Sequence, residues 1–305
     1  MTVFQNKLVG EKNEAVPPQL KVTGKLEWVK PIQVDDYKFV QSQLKDPKSV
    51  VKVAVPSKPL SAAAVSEAAD AFGAGPTMIH FRGGRAAVDI DSYPDMNAFF
   101  DDLAAAYRRE LKALVDAGCK YIQLDDTNLA YLNDPDMRKA AEARGEDLET
   151  LPKQYAELIN AALRDLPDDV TKAIHLCRGN FRSRHFASGS YEQVAKVLFN
   201  EINVHNFLLE FDDERSGSFE PLRFLPKGKT VTLGLVTTKR AELEDKASIM
   251  ARIKEATKYA PLEQLSLSPQ CGFASTSEGN DLSEEDQWNK IKLCREIVEE
   301  VWGKQ

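Results

Sequence analysis

Cysteine is scarce in this chain: four cysteines occur among 305 residues, at irregular intervals. This pattern excludes a disulfide framework and is typical of a reducing compartment, where cysteines pack, catalyse or bind metal. Positive charge is also in short supply, since 40 basic residues against 47 acidic ones leave a net charge of −7. Nucleic-acid binding requires a basic face, so we expect no nucleic-acid partner.

Long apolar runs are missing as well. No stretch approaches the ~20 residues of a membrane-spanning helix, and the N-terminus lacks the regions of a signal peptide. No G-x-G-x-x-G motif follows an early strand, which disfavours a dinucleotide-binding sheet. What is present, 43% hydrophobic residues, suffices for a large core. We therefore expect a cytoplasmic protein without a membrane partner.

Short β-rich runs alternate with long amphipathic segments from residue 49 onward, which is typical of βαβ units and a parallel sheet. Two architectures fit this alternation, a (β/α)8 barrel and an open doubly wound sheet. Strands are predicted at 50–57, 120–126, 171–177, 206–213, 230–237 and 263–272. Helices are predicted at 94–118, 151–166, 191–202 and 245–259, and a last one after Ser283, where Asp286 forms a near capping box.

Four residues of metal-ligand type stand near the carboxyl ends of three of these strands: His175, Cys177, Glu210 and Cys271. In a parallel barrel, the carboxyl ends of all strands meet at one face, so the four side chains converge. Each residue alone also fits core packing, but Glu210 interrupts an apolar run, and burying an unpaired carboxylate is costly. The other two cysteines, Cys119 and Cys294, are interpreted as packing residues.

Two thiolates, one imidazole and one carboxylate are a chemically sensible ligand set for zinc. So many anionic ligands weaken the metal as a Lewis acid for hydrolysis. They suit the binding of an incoming thiol, which a metal holds as a thiolate at neutral pH. The set therefore indicates sulfur alkylation rather than hydrolysis.

The segments "YIQLDDTNLAYL", "IHLCRGNFRS", "LLEFDDERSG" and "LSPQCGFAS" resemble the cobalamin-independent methionine synthase family, and most closely its shorter branch, which corresponds to the catalytic C-terminal barrel alone. The resemblance implies a (β/α)8 TIM-type barrel over residues 49–305, preceded by an extension or irregular segment at 1–48. It also implies zinc held by the four ligand-type residues. In this family a thiol such as homocysteine attacks a methyl group on a folate nitrogen, so a small-molecule thiol and a methyl donor are the implied partners.

Two departures from the family pattern are visible. The first two βα units of the family have no counterpart, so we expect an incomplete barrel of about six units, with residues 1–48, self-association or a partner covering its open edge. The synthase proper also carries an Asp-Ile-His stretch after its seventh strand. Here the stretch reads "GLVTTKRAE", and Lys239 is a candidate catalytic cation or acid.

The resemblance also suggests residues that contact the substrate. Asp125 matches the carboxylate that receives the amino group of the amino-acid substrate, which suits its chemistry. Asp126 beside it orients neighbouring groups. Further candidates come from loops: Arg82, in a flexible "HFRGGR" segment that suits a carboxylate or sulfonate, and Arg215 and Ser216 near the site mouth.

Two rival functions stay open on sequence grounds. A branch of the superfamily opens epoxides with a small sulfonated thiol, and nothing in the sequence excludes that chemistry, whereas the four ligands disfavour the related decarboxylases. Alternatively, a truncated barrel retains zinc for structure alone.

Overall fold

The structure, a computed structural model, describes residues 21–55, 75–275 and 279–303. Within these residues, six strands form a single parallel sheet in sequential order. The strands are β1 (Lys52–Val55), β2 (Tyr121–Asp126), β3 (Thr171–Leu176), β4 (Asn206–Glu210), β5 (Thr230–Val236) and β6 (Leu265–Pro269). Each lies within a predicted run, and the predicted barrel-type fold is confirmed. Positions 56 and 57 of the first run lie outside the described residues.

Nine α-helices occur in the described ranges, most of them between consecutive strands on the outer side of the sheet. They are α1 (Val34–Gln43), α2 (Met78–Phe81), α3 (Met96–Asp116), α4 (Asn128–Tyr131), α5 (Pro135–Ala143), α6 (Leu151–Leu163), α7 (Glu192–Glu201), α8 (Lys246–Ala256) and α9 (Glu284–Val301). Short 3-10 turns lie at Gly84–Ala87, Glu214–Ser216, Glu220–Phe224 and Leu262–Gln264. No helix in the described part of the chain is long and apolar enough to cross a membrane.

Helix α3 shows why these segments fold as they do. Asp95 caps its first turn by accepting a hydrogen bond from the backbone N–H of Asn97. Phe99, Leu103 and Leu111 recur at helical spacing and are fully buried against the sheet. The chain then reverses at Gly118, whose φ of +104° favours glycine. The predicted capping box at the start of α9, with the Ser283 and Asp286 side chains bonded reciprocally, is also confirmed.

The segment before β1 packs on the barrel-type core rather than apart from it. Val22 pairs with Val88 in an isolated bridge and is fully buried. Glu110 of α3, also buried, accepts hydrogen bonds from the indole of Trp28 and from the backbone N–H groups of Ile32 and Gln33. Residues 1–20 of the predicted N-terminal segment lie outside the described residues.

Side chains alternate along each strand between the helices and the inner face of the curved sheet. On β1, Val53 and Val55 are buried towards the helices, whereas Lys52 and Ala54 face a cavity on the inner side. Among the described residues, β1 and β6 are edge strands and do not pair with each other. The inner face is therefore the place where the carboxyl ends of the strands bring polar side chains together.

Candidate metal centre and its cavity

The four predicted ligand-type residues lie together at the carboxyl edge of the sheet. His175 is the last residue of β3 whose side chain faces the inner side of the sheet, and Cys177 directly follows that strand. Glu210 is the last residue of β4, and Cys271 lies two residues after the end of β6. One possible ligand atom from each, an imidazole nitrogen, two Sγ atoms and a carboxylate oxygen, lies within 4.8 Å of all the others. The convergence expected from strand order is thus present in the fold.

Short contacts join the members of this cluster. The sulfurs of Cys177 and Cys271 are 2.7 Å apart, and the Cys271 thiol donates to Oε1 of Glu210 at 2.8 Å. The Nε2 atom of His175 lies 3.5 Å from the Cys271 sulfur and 3.8 Å from Oε1 of Glu210. The two cysteines are free thiols, so the cluster offers two sulfur atoms, one nitrogen and one oxygen.

The backbone after β3 holds the cluster in place. The N–H of Arg178 donates to Oε2 of Glu210 at 3.2 Å, and the N–H of Gly179 donates to the Cys177 sulfur at 3.1 Å. Gly179 has a φ of +93°, and a Cβ there would lie 2.3 Å from a ring carbon of Phe186, so glycine is required for this turn. Asn180 then donates to the backbone oxygen of Gly272 at 3.0 Å, which ties the two cysteine-bearing loops together.

Burial and charge act in opposite directions on the two non-sulfur members. Burial by itself lowers the pKa of His175, but the hydrogen bond and charge of Cys177, followed by the charges of Asp125 and Glu210, raise it to about 9. Burial raises the pKa of Glu210, yet Lys239, His175, Cys271 and Arg215 together lower it to about 2. The carboxylate is therefore ionised at neutral pH despite being fully buried.

The two cysteines influence each other strongly. The hydrogen bond between the two thiol groups, as the largest influence, lowers the pKa of Cys177 to about 7. The pKa of Cys271 is raised well above its ordinary value, because the bond to Cys177, burial and the negative charges of Cys177 and Glu210 outweigh the positive charge of Lys239. A divalent cation would remove this mutual repulsion, since metal coordination deprotonates thiols outright.

This set of donors fits a metal ion. Borderline-soft zinc prefers sulfur and nitrogen ligands with an occasional carboxylate, in a four-coordinate arrangement. Four donors from four separate residues, all mutually close, meet that requirement. The cluster can therefore hold a metal ion.

A cavity of about 610 Å³ opens beside the cluster and reaches three of its members, His175, Cys177 and Cys271. Of the predicted substrate-contacting residues, Asp125 and Arg82 line it. Asp125 pairs in register with His175 on the neighbouring strand, which places a carboxylate next to the cluster. The structure thus brings the two predicted sites into one cavity.

Asp126 is separated from that cavity because consecutive residues of a strand face opposite sides. Its side chain is fully buried behind the sheet and accepts a 2.5 Å hydrogen bond from the Thr77 hydroxyl. It also accepts from the backbone N–H groups of Asn128 and Leu129. Burial raises its pKa. Asp126 therefore joins the segment before α2 to the start of α4, and it is not among the described residues that line the cavity.

Two other candidates, Arg215 and Ser216, are also absent from the cavity lining in the described part of the chain. The guanidinium of Arg215 contacts Asp212 at 2.9 Å and Asp213 at 2.6 Å, and lies 4.0 Å from Oε2 of Glu210. Ser216 is fully buried. The predicted position at the site mouth is corrected, because the 3-10 turn after β4 carries both residues behind the cluster.

Lys239 is not among the described residues that line the cavity, although its partner Gln270 is. It is 5% exposed, and its Nζ donates to Oε1 of Gln270 at 3.0 Å. Burial lowers its pKa, but the charges of Glu210, Cys271, Cys177 and Asp212 outweigh this and raise it. The lysine is therefore a fixed cation within this network, a poor source of protons at neutral pH.

The "HFRGGR" segment is more ordered than the expected flexible loop, since α2 and a 3-10 turn occupy it. His80 is buried, with Nδ1 3.0 Å from the Tyr155 hydroxyl, and Arg85 donates to the sulfur of Met96. Both point away from the cavity, which Arg82 lines. Sequence reasoning missed Lys52 and Gln123 in the lining, although Gln123 stands two residues before Asp125 on the same face of a strand.

The fold and the cluster together define a parallel barrel-type protein with a candidate metal centre at the carboxyl ends of its strands. Residues 83–284 match the family described as cobalamin-independent synthase, catalytic domain. The chain belongs to this family.

Individual relatives agree with this assignment. The chain is 42% identical over 284 residues to YxjH, an uncharacterized protein of Bacillus subtilis, across 93% of this chain and 69% of that protein. It is 32% identical over 183 residues to the methionine synthase of Pyrococcus abyssi, across 59% of this chain and 45% of the relative. A crystal structure assigned as a vitamin-B12-independent methionine synthase from Listeria monocytogenes is 32% identical, with a TM-score of 0.70 over 93% of this chain and 74% of that chain.

Proposed function

We propose that this protein is a zinc-dependent transferase that moves a methyl group from a nitrogen-bound donor, of the methyl-folate type, to a small thiol such as homocysteine. The observation that carries the proposal is the position of the His-Cys-Glu-Cys cluster at the wall of an open cavity. The cavity gives a small thiol a route to a metal ion held by this cluster, which a site enclosed in the core would not offer.

The residues have distinct roles in this reaction. His175, Cys177, Glu210 and Cys271 would hold zinc, which supplies a way to keep a thiol substrate deprotonated at neutral pH. Asp125, beside His175 in the sheet, receives the ammonium group of the substrate and directs its sulfur towards the cluster. The thiolate sulfur forms a bond to the methyl carbon while the carbon–nitrogen bond of the donor breaks. The nitrogen keeps the electron pair and takes up a proton, which balances the proton that the thiol loses on becoming a thiolate.

The cations near the cluster support this chemistry. Lys239 and Arg215 lie near Glu210, and their charges lower the pKa of its carboxyl group. They offset the negative charge that two thiolates, a carboxylate and a thiolate substrate bring into a buried site. Lys239 therefore acts as a fixed charge in our proposal.

Metal analysis and product analysis test the function together. We expect one zinc ion per purified chain, and we expect it to be lost in both Cys271→Ala and His175→Ala. The control Cys294→Ala should retain zinc, because Cys294 is a buried residue of α9 that is not part of the cluster. We also expect methionine, detected by mass spectrometry, from homocysteine and methyl-tetrahydrofolate. A wild-type protein without zinc contradicts the proposal, and thiol consumption with an epoxide but not with methyl-tetrahydrofolate favours the epoxide-opening rival.

A further inference from the structure

Three polar side chains form a continuous row on the inner wall that β1 and β2 build. The Nζ atom of Lys52 donates to Oε1 of Gln123 at 2.9 Å, and Nε2 of Gln123 donates to Oδ1 of Asp125 at 2.6 Å. All three residues line the cavity. Lys52 and Gln123 have no role in the reaction described above, although Gln123 bonds directly to the carboxylate that receives the substrate and Lys52 bonds to Gln123.

The direction of the Gln123 amide in this row is dictated by donor and acceptor chemistry. A lysine ammonium group has three donors and no acceptor, so the carbonyl end of the amide must face Lys52. The NH2 end is then the part that faces Asp125. Gln123 is 7% exposed, so water contributes little to satisfying either end of the amide.

This orientation has a consequence for Asp125. A hydrogen bond from the amide N–H of Gln123 to one carboxylate oxygen holds the Asp125 side chain in a defined rotamer. Because the bond uses Oδ1, Oδ2 is left for a second partner in the cavity. A reversed amide would instead place its carbonyl oxygen against the carboxylate, which is repulsive.

Resting on the function proposed above, we propose that Lys52 and Gln123 are positioning residues that make the cavity selective for thiols carrying an ammonium group, through the Lys52–Gln123–Asp125 row. Gln123 holds the carboxylate that binds the ammonium, and Lys52 holds the amide of Gln123 in the orientation that allows it.

Net charge and hydrogen-bond orientation predict opposite effects of Lys52 on the binding of the substrate ammonium group. A cation on the same wall repels a substrate ammonium, so its removal would strengthen binding if net charge alone mattered. If Lys52 acts by orienting Gln123, its removal weakens binding instead. The sign of the change therefore separates the two roles.

Two thiols that differ only in the amino group provide the readout. Homocysteine carries the ammonium, and 4-mercaptobutyrate has the same thiol, chain length and carboxylate without it. Dissociation constants of both are measured by calorimetry on the zinc-loaded full chain. We expect Gln123→Met and Lys52→Met each to weaken homocysteine binding about tenfold, the size of one lost charge-assisted hydrogen bond, with unchanged binding of 4-mercaptobutyrate.

Matched variants control this experiment. Lys52→Arg keeps a cation that can only donate hydrogen bonds, so we expect it to bind homocysteine as tightly as the wild type does. Gln154→Met and Lys153→Met make the same replacements on the exposed face of α6, and we expect no change in either constant. Retained zinc and retained 4-mercaptobutyrate binding show that a variant is folded.

Three outcomes would overturn the proposal: tighter homocysteine binding in Lys52→Met, equal losses for both thiols in Gln123→Met, or a wild type that binds the two thiols equally well. A wild type that binds neither thiol, with its zinc present, counts against the proposed transferase function itself. Failure of the function and failure of the selectivity are thereby distinguished.

Discussion

The two walls of the cavity hold their charged groups by different means. The wall formed by β3, β4 and β6 is crowded: Glu210 is fully buried, and the pKa values of its neighbours are displaced in both directions. The wall formed by β1 and β2 is more open, with Lys52 exposed and Asp125 half-buried. In the first wall, ionised groups stabilise one another in a low-dielectric environment, whereas in the second, hydrogen-bond direction determines where a charge points.

The largest effect expected from this difference is on activity. Cys177→Ala removes a ligand-type side chain from the crowded wall, and we expect loss of zinc and of detectable methyl transfer. Asp125→Asn alters the open wall and should leave zinc content intact while reducing activity about 100-fold, the order of a misplaced substrate. Zinc analysis and methionine formation measure both, and loss of zinc in Asp125→Asn would show that the walls are not independent.

The next largest expected effect is on stability, and it concerns an ion pair through which α9 stabilises the crowded wall. Lys290 is fully buried and donates to Glu244 at 3.0 Å, and Glu244 accepts from the backbone N–H of Thr237 just after β5. Lys290→Met leaves a poorly solvated carboxylate without its partner, so we expect a loss of about 3 kcal/mol in the free energy of unfolding.

Chemical denaturation measures this loss. The control is Lys112→Met, which breaks an ion pair with Asp116 that is exposed on α3. Exposed pairs contribute little, so the control should change stability far less. Equal effects in the two variants would mean that burial of Lys290 has no energetic consequence.

The support behind the open wall is expected to depend on pH. Burial, followed by the charge of Arg144, lowers the pKa of His80 to about 4, although Glu146 lies 3.6 Å away. Burial outweighs this contact, since it also raises the pKa of Glu146. The native state therefore holds His80 neutral, and the unfolded state takes up a proton first as the pH falls.

The direction of the change in stability with pH follows from the difference in proton uptake between the native and unfolded states. The contribution of His80 is present above pH 6.5, the ordinary pKa of an unfolded histidine, and is lost between pH 6.5 and about 4, amounting to about 3 kcal/mol. Denaturation across this range should show a steeper loss of stability for the wild type than for His80→Gln, which does not titrate. Parallel curves for the two proteins would contradict the prediction.

The smallest effect concerns Thr77, whose hydroxyl donates to the buried carboxylate of Asp126. Thr77→Val keeps the side-chain volume and removes this bond together with the one that the hydroxyl accepts from the side-chain amide of Asn128, so we expect a loss of about 1 to 2 kcal/mol in unfolding free energy. Thr257→Val removes an exposed hydroxyl bond at the end of α8 and serves as the control. A similar loss in both variants would argue against a special role for the contact with Asp126.

Much of the fold and of the candidate centre could be predicted from local pattern. Alternating strands and helices indicated parallel βα units, and the ligand-type residues could be recognised because each stands at the end of a strand, where parallel geometry brings them together. The correct parts depended on periodicity and on the common direction of the strands. Cys119 and Cys294, set aside as packing residues, are both buried.

The features that the sequence did not predict depend on contacts between residues that are distant in the chain. The sequence by itself determined the order of strands and the ligand-type chemistry at their ends, since these depend on residue type and on spacing of a few positions. Only the tertiary structure decided that Asp125 faces the cavity while Asp126 is buried, that Arg215 lies behind the cluster, and that Lys52 meets Gln123 across 71 positions of the chain. Such pairings depend on how strands align and curve, which no local pattern encodes.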